Sequence, residues 1–330
     1  MKVLVCGGAG YIGSHCVKML LNKGYRVSLI DNLSTGHREA IDSRATFYEG
    51  DVRDLAFLNY VFETEANGTS VDAVIHFCAK SLVGESMQKP LEYFDNNVSG
   101  TLTLLQAMVT NEVKKIIFSS SAAVYGSQPI MPLTEASPTI PTNPYGETKL
   151  TMEKLMKWVD VAYGVKYISL RYFNVAGAYE TAEIGEDHQP ESHLIPIVLQ
   201  TILGLRPHLN IYGDDYNTPD GTCIRDYIHV EDLIDGHILA LEHLLKGHDS
   251  DIFNLGSQNG YSVKEVITSC ERVTGMKVPS EIAPRRLGDP DQLIASSLKI
   301  QKNLGWKPRW GLDDMIRSAY AFHKSHPKGY

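Results

Sequence analysis

Short apolar runs and amphipathic stretches alternate through the first half of this chain. Lys2–Cys6, Arg26–Ile30, Thr46–Glu49, Ala73–Phe77, Lys115–Ser119 and Tyr167–Arg171 read as strands. Between them a helical period runs from Tyr11 to Lys23, through Leu91, Phe94, Val98, Leu102, Leu105 and Val109, and again through Met152, Leu155, Met156 and Val159. Alternation of this kind implies a parallel, doubly wound sheet with helices on both faces. The last two stripes have two readings: they cover the sheet, or they form the four-helix face of a dimer.

After Tyr172 the pattern changes. Residues 174–224 are rich in Gly, Pro, Asp and Asn and read as a lid or substrate region. Asp226–Leu245 reads as a short strand and helix returning to the sheet. The tail from Gly256 holds a small helix, Val263–Val273, and a polar run, Ala283–Asp289. The expected division is residues 1–173 as one domain, with 225–255 rejoining its sheet, and 174–224 plus 256–330 as a smaller C-terminal α/β substrate domain.

Chemistry enters at the first strand–helix junction. Gly7-Gly8-Ala9-Gly10-Tyr11-Ile12-Gly13 links the first strand to the first helix. Its glycines fit both Gly8-x-Gly10-x-x-Gly13 and Gly7-x-x-Gly10-x-x-Gly13. They allow a tight turn, close approach of backbone to a pyrophosphate, and close helix–strand packing. The helix N-terminus then offers N–H groups and a positive dipole end to phosphate. Asp31, eighteen residues past Gly13, closes the second strand. A carboxylate there accepts hydrogen bonds from a ribose 2′-OH and repels a 2′-phosphate, which favours NAD over NADP. The fold expected is therefore a Rossmann-type doubly wound α/β sheet.

Tyr145 and Lys149 lie four residues apart in Pro144-Tyr145-Gly146-Glu147-Thr148-Lys149, which puts both on one helix face. A phenol has an ordinary pKa of about 10, so ionising it near neutrality takes roughly 3 units, or about 4 kcal/mol. An ammonium and a nicotinamide cation beside it would supply that. Ser119-Ser120-Ser121 closes the fifth strand, and a hydroxyl there can hydrogen-bond a reacting hydroxyl or share its proton. Turn chemistry or helix capping is the plainer role for such a triplet.

Composition narrows the class. At 330 residues, 43% hydrophobic and 21% charged, the chain has the make-up of a soluble globular protein with two domains or subdomains. A net charge of −8 without a long basic run argues against nucleic acid or an anionic membrane as partner. No stretch approaches the roughly 18 apolar residues of a membrane span. The first strand begins next to Met1, leaving no room for a signal peptide. Cys6, Cys16, Cys78, Cys223 and Cys270 are scattered, as suits a reducing cytoplasm. The twelve histidines show no metal-site spacing, so no metal is expected.

With these motifs in order, the chain resembles the extended short-chain dehydrogenase/reductases and, within them, the UDP-glucose 4-epimerases. The similarity spans essentially the whole sequence. It rests on Gly7–His15, Asp31-Asn32-Leu33, Gly50-Asp51-Val52-Arg53, Val83-Gly84-Glu85-Ser86, Asp95-Asn96-Asn97, Ser119–Gly126, Arg171-Tyr172-Phe173-Asn174 and Asp220–Val230. The resemblance implies that Tyr145 takes the proton of the sugar 4-hydroxyl, Lys149 binds the nicotinamide ribose and lowers the tyrosine pKa, and Ser121 assists. It implies NAD held by Gly7, Gly10, Tyr11, Ile12 and Gly13, by Asp31, Asn32, Leu33, Ser34, Thr35 and Gly36, and by Asp51 and Val52. Phe77, Cys78, Ala79, Lys80, Ser81, Asn96 and Phe173 complete that set. It implies a UDP-sugar held by Asn174, His193, Leu194, Tyr212, Arg225, Tyr227, Val263, Arg286 and Asp289, with Leu293 as a gate beside the sugar. The implied partners are the UDP-sugar and a second copy of the chain.

Two positions depart from the pattern. Many 4-epimerases carry lysine where Ser81 stands, and asparagine is common where His193 stands. Three rivals remain in view. A sugar-nucleotide 4,6-dehydratase needs an Asp-Glu pair after the strand-five serine, where this chain has Ala122-Ala123. A UDP-uronate 4-epimerase shares the same motifs. A non-catalytic NAD sensor would keep the glycines without needing Ser121, Tyr145 and Lys149.

Overall fold

The computed structural model describes every residue except Thr69, Leu287 and Gly288, so part of the Ala283–Asp289 run lies outside the described residues. In chain order the first elements are β1 (Lys2–Cys6), α1 (Tyr11–Asn22), β2 (Arg26–Asp31), β3 (Thr46–Glu49), α2 (Leu55–Ala66), β4 (Ala73–His76), α3 (Val83–Gln88), α4 (Pro90–Tyr93), α5 (Gly100–Thr110), β5 (Lys115–Ser119), α6 (Pro144–Tyr163) and β6 (Lys166–Tyr172). There follow β7 (Asn174–Ala176), α7 (Leu194–Ile202), β8 (Leu209–Tyr212), β9 (Ile224–His229), α8 (Val230–Leu245), β10 (Asp251–Leu255), β11 (Gly260–Ser262), α9 (Val263–Thr274), β12 (Ser280–Ala283), β13 (Gln292–Leu293), α10 (Leu298–Leu304) and α11 (Leu312–Ser325).

Seven strands form the large sheet in the order β10-β6-β5-β4-β1-β2-β3. The pairings from β3 through β6 are parallel. Register aligns Cys6 with Ile30 and His76, and His76 with Phe118, so the carboxyl ends of β1, β2, β4 and β5 finish level. Strand order reverses between β1 and β4, which opens the crevice where such sheets bind ligands. The core on one face joins Leu4, Ile30, Val74, Ile116 and Phe118 to Leu104, Leu105 and Met108 of α5 and Met152 and Met156 of α6. Of the two apolar stripes, Leu105, Met152, Met156 and Val159 are buried in this core, and Val98, Val109 and Leu155 pack partly against it. Leu91, Phe94 and Leu102 remain 85%, 38% and 42% exposed, and Trp158 and Val161 of α6 67% and 73%.

The chain divides into two compact units. One comprises 1–127, 135–171 and 234–253, the other 128–134, 172–233 and 254–330. The second holds a sheet in which β9 pairs with β11, β13 and β7, and a separate β8–β12 pair. Its core packs Ile195, Val198 and Leu199 of α7 with Val266 and Cys270 of α9 and Met315, Ile316 and Ala319 of α11. The α9 start is fixed by a capping box: Glu265 N–H donates to Ser262 Oγ at 3.1 Å, and Ser262 N–H donates to Glu265 Oε2 at 2.7 Å.

One sequence expectation changes here. Residues 225–255 do not return to the large sheet as a block: β9 belongs to the small sheet and only β10 joins the large one. Asp226 explains it. Its carboxylate is fully buried and accepts hydrogen bonds from Ser257 N–H (2.8 Å), Ser257 Oγ–H (2.8 Å), Gln258 N–H (3.2 Å) and Ala295 N–H (3.1 Å). Those donors flank β11 and β13, so a charge that is costly to bury finds its partners only there.

Candidate active site

The turn after β1 is built for a close-lying phosphate. Gly7 has φ +85°, and a Cβ on Gly13 would sit 1.9 Å from the Gly7 carbonyl oxygen, so α1 rests directly on the turn. A Cβ on Gly10 would meet only Gly7 O, at 3.6 Å, leaving the approach to the helix end open. The α1 N-terminus carries no side-chain cap and no acid in its first turn. Its N–H groups are thus available to an anion, and the cradle fits a dinucleotide pyrophosphate.

Asp31 is 7% exposed, and its carboxylate accepts Ala9 N–H at 2.9 Å and Leu33 N–H at 2.8 Å. Burial pushes its carboxyl up, and these backbone bonds pull it back. The bonds set the path of the Asn32–Gly36 loop and leave lone pairs for a ribose. Asp51 accepts from Asn32 Nδ2 at 3.0 Å and pairs with Arg53 at 2.8 Å, chiefly which holds its carboxyl down at about 2. The Phe77–Ser81 segment is tied down by Asn97, whose side chain takes Lys80 N–H at 2.8 Å and gives to Lys80 O at 3.1 Å. Lys80 itself reaches Glu92 at 2.8 Å.

Asn143 caps α6 by accepting Gly146 N–H at 2.9 Å, and Pro144 takes the first helical position. A Cβ on Gly146 would lie 2.4 Å from Ala123 O, so glycine lets the helix start against the turn that follows Ser121. Tyr145 is thereby brought into hydrogen-bond contact with the Ser121 hydroxyl. Ser121 also caps that turn, accepting Ala123 N–H at 3.1 Å, so its plain and chemical roles coexist. Lys149 is buried, donates to Ser119 O at 2.7 Å, and lies 5.9 Å from the Tyr145 ring centroid.

The electrostatics differ from the expectation of a tyrosine acidified by its lysine. Burial raises the Tyr145 pKa, opposed by the Ser121 hydrogen bond. Burial also lowers the Lys149 pKa, to about 7, which disfavours the ammonium. The same dehydration disfavours phenolate and ammonium alike. The chain's own groups leave the phenol protonated, and further positive charge has to arrive with the cofactor.

In the second unit, Asn174 pairs in register with Tyr227 and hydrogen-bonds its phenol. Leu293 pairs in register with Arg225, whose guanidinium lies 3.4 Å from Asp289. Arg286 stacks over Tyr212 with Cζ 4.1 Å from the ring centroid. Leu194 and Val263 are the first residues of α7 and α9. His193 turns its Nδ1 to Glu186 (2.8 Å) and Glu191 (3.1 Å). Phe173, between β6 and β7, is buried in this unit.

Residues 3–256 match the model of the NAD dependent epimerase/dehydratase family. The chain belongs to this family. NAD is accordingly its cofactor, and the chain is an enzyme of the epimerase kind. It is 57% identical to the UDP-glucose 4-epimerase of Halalkalibacterium halodurans, over 100% of this chain and 98% of that one. A crystal structure of UDP-glucose 4-epimerase superposes with a TM-score of 0.97 at 53% identity, covering 100% of this chain and 99% of the other. The Bifidobacterium longum UDP-glucose 4-epimerase, solved in complex with NAD+ and UDP, matches at TM-score 0.94 and 43% identity over 100% of both chains.

Among NAD dependent epimerases the Ser, Tyr and Lys positions are readable from motif. The groups that hold them here are not. Glu153 takes two hydrogen bonds from Arg171, at 2.9 and 2.6 Å, and one from Ser120 Oγ–H at 2.6 Å, while Arg171 also donates to Tyr125 at 3.0 Å. Thr148, which takes Asn97 Nδ2–H at 2.9 Å, links α6 to the Lys80 segment. One signal was available: 145, 149 and 153 share a helix face at successive i, i+4 steps.

Proposed function

We propose that this enzyme interconverts UDP-galactose and UDP-glucose by inverting C4 of the hexose. The observation that carries the reading is the buried Ser121–Tyr145 hydrogen bond on the same helix face as Lys149. NAD, when bound, would supply reversible hydride transfer at C4, so that the sugar passes through a transient 4-keto form and can be reduced on the opposite face. Gly7, Gly10 and Gly13 admit its pyrophosphate to the α1 N-terminus, aided by Tyr11 and Ile12. Asp31 and the Asn32–Gly36 loop, Asp51, Val52, Phe77, Cys78, Ala79, Lys80, Ser81, Asn96 and Phe173 line the rest.

Tyr145 takes the 4-hydroxyl proton and later restores it, Ser121 bonds the reacting oxygen, and Lys149 holds the nicotinamide ribose. Arg225 and Arg286 grip the diphosphate, since a planar fork matches its oxygens. Asn174, His193, Leu194, Tyr212, Tyr227, Val263 and Asp289 supply the remaining contacts to the nucleotide sugar. Anchoring the UDP while the sugar turns over lets both faces of C4 meet the same cofactor.

Ala122 and Ala123 cannot transfer protons, so the reading excludes elimination of the 6-hydroxyl. The enzyme incubated with UDP-galactose and no added coenzyme should yield UDP-glucose by NMR. Accumulation of a 6-deoxy-4-keto sugar would overturn the assignment. Leu293, smaller than tyrosine, leaves room for a 2-acetamido group, so UDP-GlcNAc and UDP-GalNAc should also interconvert. Leu293→Tyr should suppress the acetylated reaction and spare UDP-galactose; equal loss of both, or no wild-type turnover of UDP-GlcNAc, would rule out the gate. The exposed apolar side chains Leu91, Phe94, Leu102, Trp158 and Val161 support a homodimer, and five free thiols suit the cytoplasm.

A further inference from the structure

The segment before α7 gathers four ligating side chains, none of which transfers a proton or hydride and of which His193 alone is assigned a contact to the nucleotide sugar. Single ligand atoms from Glu186, His188, Glu191 and His193 all lie within 4.8 Å of one another. His193 Nδ1 stands 2.8 Å from Glu186 Oε1 and 3.1 Å from Glu191 Oε1; His188 Nδ1 stands 3.2 Å from Glu186 Oε1 and 3.8 Å from Glu191 Oε2. A tetrahedral ion with bonds of about 2.1 Å separates its ligands by roughly 3.4 Å, and these distances bracket that value.

Two further observations point to a ligand rather than to a plain ion-pair cluster. Glu191 is only 8% exposed, and its Oε2 makes no hydrogen bond. Its Oε1, by contrast, is held by Ser192 N–H at 2.7 Å and His193 N–H at 2.8 Å, which aims the free oxygen at the imidazoles. A second buried imidazole, His323 of α11, feels the charge of both glutamates and has an Nε2 without a partner. A single His193 N–H cannot serve two carboxylates fully, whereas one cation satisfies all four groups at once.

We propose that Glu186, His188, Glu191 and His193 form a closed, structural site for a first-row transition cation of the zinc class. Two imidazoles select such an ion over magnesium or calcium, which prefer oxygen ligands. Four protein ligands leave no open position, so the ion braces the chain before α7 and takes no part in the epimerisation. Two glutamates balance its charge. The inference shares His193 with the proposed nucleotide-sugar contacts, but its cation-binding readouts do not depend on which sugar is turned over.

The test uses the full-length enzyme, stripped with chelator and titrated with ZnCl2 by calorimetry and with CoCl2 by visible absorption. Expected are one ion per chain, the intense bands of tetrahedral cobalt, and a zinc-dependent rise in melting temperature that MgCl2 does not reproduce. His188→Asn and Glu191→Gln should each weaken zinc binding by about 100-fold or more, since even outer partners of a metal are worth 10–100-fold. Absence of saturable zinc binding, or binding unchanged in both variants, overturns the proposal. Should a variant fail to fold, the wild-type protein decides: no tetrahedral cobalt bands and an unmoved melting temperature would refute the site.

Discussion

Tyr145 and Lys149 meet the same dehydration with opposite consequences. The phenol is driven up and the ammonium down, to about 7. Tyr145→Phe removes the group that carries the proton but no part of the dinucleotide cradle. Turnover should fall roughly 10²–10⁴-fold with NAD still bound, as measured by steady-state rate and by cofactor absorbance after gel filtration. Near-native turnover would take the proton-transfer role away from Tyr145. For Lys149 the sign follows from linkage. Between pH 7 and its ordinary value near 10.4 the unfolded chain holds a proton that the native lysine has lost. Stability of the cofactor-free enzyme therefore rises with pH across that window on this residue's account. Lys149→Met should flatten the rise. The difference between the two melting profiles is the quantity to read, because the buried thiols Cys6 and Cys16 oppose it equally in both proteins.

At the scale of elements, α6 is locked to β5 and β6 through one buried charge pair. Arg171 and Glu153 are 4% exposed each, and the pair carries Ser120 and Tyr125 with it. Glu153→Ala strands a guanidinium among apolar neighbours and should cost about 3–5 kcal/mol in urea denaturation. Replacing both partners, Glu153→Met with Arg171→Met, should cost clearly less, since no charge is then left unpaired. A double variant as unstable as the single one would mean that packing, not charge, holds α6 in place. In the second unit Asp226 has the corresponding task. Asp226→Ala leaves several buried donors without an acceptor and should destabilise the chain on the order of 3 kcal/mol.

At the scale of the whole molecule, the face left open by Leu102 on α5 and by Trp158 and Val161 on α6 is too apolar to be left to water without consequence. Paired with the same face of a second copy, it forms the four-helix contact of the proposed homodimer. Leu102→Glu combined with Val161→Glu should convert a dimer to a monomer in analytical ultracentrifugation. Neither position enters the buried core beneath the helices, so the fold should persist by circular dichroism. A wild-type monomer at micromolar concentration would remove the proposal.

What the sequence determined by itself is the part governed by short-range periodicity and local sterics. The first six strands, the glycine turn of Gly7–Gly13, the acid at Asp31 and the single helix face of Tyr145 and Lys149 are all readable from spacing, because a strand, a tight turn and a helical face depend on neighbours only a few residues away. The tertiary structure decided whatever depends on partners far along the chain. The period of β9 gives no hint that Asp226 will find its donors at Ser257, Gln258 and Ala295, and so the strand was expected in the wrong sheet. Likewise Arg171 reads as an ordinary charge until Glu153 and Tyr125 close around it. The protonation of Tyr145 follows the same rule: the i, i+4 spacing puts the lysine beside the phenol, but how much water the folded chain excludes decides which of the two keeps its proton.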